Sequence, residues 1–106
     1  MRTIRATSLG RMTVAVVMKF EGATLDQYDR AIELMGFEPG GSGAPGGLFH
    51  WVTTMDNGVQ VTDVWGSREQ FERFAQQEIG PASEKVGVPG APRITIFDVH
   101  NILTAG

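Results

Sequence analysis

A shortage of helix is the feature that most constrains this fold. Four segments of the 106-residue chain read as β-strands, and only two others carry an amphipathic helical stripe. Two helices can cover one face of a four-stranded sheet and no more. Residues 13–20 (TVAVVMKF) are β-branched and apolar at nearly every position, so they read as a central strand. Residues 48–54 (LFHWVTT), 59–65 (VQVTDVW) and 93–103 (RITIFDVHNIL) supply three more strands. Whichever parity faces the helices, large apolar side chains remain on the other side. A contiguous apolar surface of about 400 Å² or more is unusual on a monomer, so a second copy packed sheet against sheet is expected.

The helices announce themselves by caps and spacing. Thr24 and Gln27 stand at capping-box spacing, Asp26 suits the first turn, and Leu25, Tyr28, Ile32 and Met35 form one stripe. Gly36 follows as the C′ residue. Ser67 and Gln70 repeat the cap, and Phe71, Phe74, Ala75 and Ile79 make the second stripe. Gly80-Pro81 is expected to interrupt that helix, with residues 82–86 as a short helical restart. Between the first helix and the second strand lies GFEPGGSGAPGG (36–47), with six glycines and two prolines in twelve residues. No regular element fits that composition, and loops of this length suit a lid over a pocket or a slack surface crossover. No Gly-Lys-Ser/Thr follows it, so it is not a phosphate loop.

Asp56-Asn57-Gly58 marks a hairpin. With Asn57-Gly58 as a type I′ loop, Asp56 pairs with Val59, Val52 faces Asp63, and His50 faces Trp65, all four of the last on one side of the sheet. In the last strand Ile94, Ile96, Asp98, His100 and Ile102 point one way.

Composition removes whole classes of chemistry. With no cysteine there are no disulfides, thiolate metal sites or cysteine nucleophiles, which suits a cytoplasmic location. No apolar run approaches the roughly 20 residues of a membrane span, so no membrane partner is expected. A net charge of −3 disfavours nucleic acid, and the third strand lacks the Lys or Arg of an RNA-recognition sheet. A detached amino-acid-sensing module shares the element order but has no enzyme attached to it. Residues 1–11 (MRTIRATSLGR) hold three arginines and no acid and read as a flexible N-terminal arm, leaving 12–106 as a single domain.

The βαββαβ order, the strand Thr13–Phe20 and the run DVWGSREQFERF (63–74) resemble the dimeric α+β barrel superfamily. Within it, the chain is similar to small proteins related to antibiotic-biosynthesis monooxygenases, including small actinobacterial ones with a Gly-Gly-rich loop and a VHN ending. The resemblance covers about residues 12–104. It implies a ferredoxin-like α+β sandwich, a four-stranded antiparallel sheet with two helices on one face, assembled as a homodimeric barrel, with a small-molecule pocket between sheet and helices or inside the barrel. Members include cofactor-free quinone-forming monooxygenases, haem-degrading enzymes, lactone isomerases and dehydratases, and fold alone does not choose among them. The haem-degrading pattern needs an asparagine on the first strand and a histidine on the second helix, and both are missing here.

His50 and His100 are the only histidines, and each has a carboxylate in pattern: Asp63 across the hairpin, Asp98 two residues away. A neutral imidazole held by a carboxylate is a competent base near neutral pH. The resemblance brings the last strand toward the partner's second strand, so His50 and His100 of two subunits are expected to converge. The expected proton-handling set is therefore His50, Asp63 and His100. Trp65, Trp51, Phe49 and Tyr28 are expected to shape the pocket around an aromatic or polyketide-like substrate. Two histidines and a carboxylate also suit zinc or non-haem iron, but no HExxH-type spacing is present, and neither metal nor cofactor is expected. The expected function is a cofactor-free monooxygenase or isomerase; the alternative is a non-catalytic ligand-binding or stress-related protein with the same pocket.

Overall fold

The computed structural model describes residues 12–105. Residues 1–11, and the arm expected there, lie outside the described residues. The elements run β1 (Val14–Glu21), α1 (Leu25–Leu34), β2 (Gly47–Met55), β3 (Gly58–Trp65), α2 (Arg68–Phe74), a π-helical segment (Ala75–Ile79), α3 (Gly80–Lys85) and β4 (Arg93–Asp98). The sheet order is β2-β3-β1-β4, and every neighbouring pair is antiparallel. This is the ferredoxin-like sandwich expected from the sequence, with β1 in the interior of the sheet.

β1 alternates as a strand covered on one side. Val14, Val16, Met18 and Phe20 are buried and pair with Trp65, Asp63, Val61 and Val59 of β3, which are buried too. Phe71, Phe74, Ala75 and Ile79 from the second helical stretch pack on this side, with Tyr28 from α1. The opposite side carries Phe49, Trp51 and Phe97, and the last two are 50% and 54% exposed. Their register partners on that side are Val64, Thr62 and Ala15. The surplus of apolar surface inferred from counting elements is therefore present, and concentrated in three aromatic side chains.

The capping box of α1 forms in full. Gln27 N–H donates to Thr24 Oγ1 at 3.1 Å, and Thr24 N–H donates to Gln27 Oε1 at 3.0 Å. The Gln27 amide also donates from Nε2 to the carbonyls of Val86 and Gly87 at 3.3 and 3.2 Å, joining the start of α1 to the end of α3. Gly36 follows the cap residue Met35 with φ +86, the left-handed C′ conformation.

Three expectations are corrected. The hairpin pairs Met55 with Gly58, so its two loop residues are Asp56 and Asn57, neither with positive φ. Gly58 is needed elsewhere: its φ is +152, and a Cβ there would lie 2.2 Å from the Phe20 carbonyl oxygen. Close approach to β1 takes the glycine out of the turn and moves the pairing by two, which preserves the face of every side chain. Second, Gly80-Pro81 does not interrupt the helix. Gly80 N–H bonds back to Ala75 O across a π turn, and Pro81 falls in the first turn of α3, where its missing N–H costs little. Third, β4 stops at Asp98 rather than continuing to residue 103. Its neighbour β1 begins at Val14, the partner of Asp98, and after Val99 N–H bonds to Thr13 O no strand remains alongside among the described residues.

Candidate active site

The corrected hairpin register puts His50 directly opposite Asp63. His50 Nδ1 and Asp63 Oδ1 are 2.6 Å apart, with the Asp63 side chain 4% exposed and that of His50 40%. A buried carboxylate only accepts, so the imidazole carries its proton on Nδ1 and donates it to Asp63. Trp65 is two residues along β3 and hence on the same face; its Nε1–H donates to Asp63 Oδ2 at 3.1 Å. Both oxygens of Asp63 are thus engaged.

The far nitrogen of His50 is occupied as well. Tyr28, at the stripe position of α1 that faces the sheet, bonds through its hydroxyl to His50 Nε2. The two rings lie within 10° of parallel with centroids 5.9 Å apart. Because Nε2 bears the lone pair in this tautomer, the phenol donates. A directed chain results, running from Tyr28 through His50 to Asp63, with Trp65 closing the far end.

These four residues line a cavity of about 1080 Å³ between sheet and helices. Met18, Val61, Phe37, Phe74 and Ile79 make its wall apolar, and residues 37–44 of the glycine-rich loop form one side. Trp65 packs edge-on to Phe71 and tilted against Phe74. The volume is in the range of small-molecule sites. Among the described residues no three His, Asp or Glu side chains gather as a metal-binding group.

The expected residues divide. His50, Asp63, Tyr28 and Trp65 come together. Phe49 borders the cavity, although its strand position faces the open side of the sheet. Trp51, expected in the pocket, has the same strand parity as Phe49 and is not part of the cavity wall. His100 follows the end of β4, is exposed, and does not reach the cavity of its own subunit. Sequence reasoning missed Phe37, Phe74 and Ile79 as cavity walls, and it missed the bond from Tyr28 to His50. The stripe containing Tyr28 was the available signal, since it must face the strand side on which His50 lies.

The phenol of Tyr28 is pushed up from 10.0 to about 12, first by burial, then by the negative charge of Asp63, then by Asp29. Tyr28 is the only tyrosine in the chain, so phenolate absorbance reports it alone. The native protein is expected to titrate near pH 12 and the unfolded chain near 10.0. The sign follows: the native state keeps a proton that the unfolded chain releases. This contribution to stability is complete below pH 10.0 and is lost as pH rises toward about 12. Asp63→Asn should lower the native midpoint. A native midpoint equal to the unfolded one would contradict the burial of the hydroxyl.

No family model matches the sequence, and no curated protein matches it either. Solved structures do. A cofactor-independent oxygenase from Streptomyces nogalater, SnoaB, superposes with a TM-score of 0.59 at 19% identity, over 89% of this chain and 99% of that one. A Chloroflexus aurantiacus protein assigned as an antibiotic biosynthesis monooxygenase gives 0.59 at 20% identity, again over 89% and 99%. A Streptomyces coelicolor monooxygenase from the gene ActVA-Orf6, in complex with nanaomycin D, gives 0.56 at 18% identity, over 92% and 95%. The chain accordingly has the ferredoxin-like α+β fold of the antibiotic-biosynthesis-monooxygenase-like proteins.

Proposed function

We propose that this protein is a cofactor-free oxygenase of small aromatic, polyketide-like molecules, working as a homodimer. One observation carries the reading: an imidazole held by a buried carboxylate opens on an apolar, aromatic-walled cavity. Such a pair accepts a proton from an acidic C–H or O–H of a bound ring system. The carbanion or phenolate so formed reduces dioxygen itself, and the protein's share is to bind, deprotonate and exclude water. The likeness in fold to oxygenases described as cofactor-independent supports this reading. The open face with Phe49, Trp51 and Phe97 supports the homodimer, which is also the arrangement that would let His100 approach a partner's site.

Anthrone, a tricyclic ketone with an acidic methylene, is a suitable probe. With dioxygen it gives anthraquinone and water; both methylene C–H bonds break and the C=O takes one oxygen atom. The protein is expected to accelerate oxygen uptake with no metal or cofactor added. His50→Ala should lower that acceleration by about 100-fold or more while the protein remains folded. Acceleration that survives in His50→Ala would overturn the proposal.

A further inference from the structure

Neither nitrogen of His50 is free. Nδ1 donates to Asp63 and Nε2 accepts from Tyr28, so a substrate proton has no direct route to the imidazole without displacing the phenol. Trp65 pins Asp63, Asp63 pins the imidazole, and the Tyr28 ring lies nearly coplanar with it, so the hydroxyl points along the Nε2 lone pair.

We propose that Tyr28 is the catalytic residue that meets the substrate, and that His50 receives the proton through its hydroxyl. The inference rests on the proton-abstraction reading of the site given above. As the acidic C–H or O–H bond of the substrate breaks, its proton goes to Tyr28 Oη while the proton already on Oη passes to His50 Nε2. The products are a substrate anion, a neutral tyrosine and an imidazolium beside the Asp63 carboxylate. Charge is conserved, and no phenolate has to persist. That matters in this setting, where burial and two nearby carboxylates disfavour a tyrosinate. A neutral phenol bonded to a base transfers two protons in concert and avoids that state. The same hydroxyl, returned to neutrality, can donate to the oxygen that develops negative charge on the substrate.

Tyr28→Phe keeps the ring and removes only the hydroxyl, and water from the cavity can satisfy His50 Nε2. With anthrone and dioxygen, kcat is expected to fall about 100-fold or more, with KM changed by less than about threefold. The solvent isotope effect offers a second reading: a two-proton step gives a curved dependence on deuterium fraction in the native protein. Because Tyr28 is the only tyrosine, a fluorinated tyrosine can be introduced biosynthetically at one position. The titratable groups around the hydroxyl are His50 on β2, Asp63 on β3 and Asp29 on its own helix. None of them changes in that substitution, so the alkaline limb of the rate profile should move down with the more acidic phenol. A Tyr28→Phe variant as fast as the native protein, beside an inactive His50→Ala, would overturn the relay and leave the oxygenase reading intact. Two fully active variants would overturn both. An unmoved alkaline limb together with a linear isotope dependence would also overturn the relay.

Discussion

Asp63→Asn is expected to lower anthrone turnover by about 10²–10⁴-fold with little change in shape or bulk. The carboxylate accepts on both sides, from His50 Nδ1–H and from Trp65 Nε1–H. An amide can accept on one side only. If its oxygen faces Trp65, its NH₂ faces His50 Nδ1 and forces the imidazole proton onto Nε2. That proton then points at Tyr28, and the chain of donors is reversed. If the amide turns the other way, two N–H groups oppose each other at Trp65, in a buried place where an unsatisfied donor costs about 1–3 kcal/mol. Nitrogen NMR of the two histidines distinguishes the tautomers, with His100 as the internal reference. Turnover within threefold of the native protein would remove Asp63 from the proposed chemistry.

The second large effect concerns assembly. The native chain is expected to sediment as a dimer at micromolar concentration, and Trp51→Glu or Phe97→Glu as a monomer. Both side chains stand about half exposed on the uncovered face. In a two-fold interface each substitution occurs twice, so the loss is about 3–6 kcal/mol per position, or roughly 10²–10⁴ in Kd. Neither residue touches the Tyr28–His50–Asp63 chain, so circular dichroism should stay native-like. A stable single subunit in the native protein would leave the aromatic face unexplained and would separate His100 from any shared site.

The pattern of residues carried most of the architecture because the local and global demands agreed. Thr24 and Gln27 form their reciprocal cap, and Val14 to Phe20 alternate as a strand with one helix-covered side must. Two of the failures, at the hairpin and in the last strand, come from the neighbouring strand overriding a local rule. Asn57-Gly58 is the better hairpin loop in isolation, but the Phe20 carbonyl leaves no room for a side chain at position 58. Residues 99–103 have strand composition, yet β1 has ended by then. At the site, side-chain parity was enough to group His50, Asp63 and Trp65. The parity of Trp51 and Phe49 was equally legible, and it opposed placing Trp51 in the cavity. Tyr28 came from another element, and only the packing of α1 on the sheet reveals its partner.

The amide of Gln27 has a consequence for how the cavity admits anything. It fastens the first turn of α1 to the carbonyls at the far end of the second helical stretch while completing its own cap. Splaying the two helices would break these bonds together, at about 1 kcal/mol each. Phe37, at the start of the glycine-rich stretch, is fastened by its N–H to Ile32 O and by its ring against Phe74, and Ala44 at the end packs on the core, but between them the backbone bond from Gly41 to Glu38 is internal to the stretch. Passage of a rigid ring system is therefore cheapest by displacement of that glycine-rich wall, with the helical roof shifting as one body. Under the proposed function, entry to the interior and the chemistry inside it would fall to different parts of the chain.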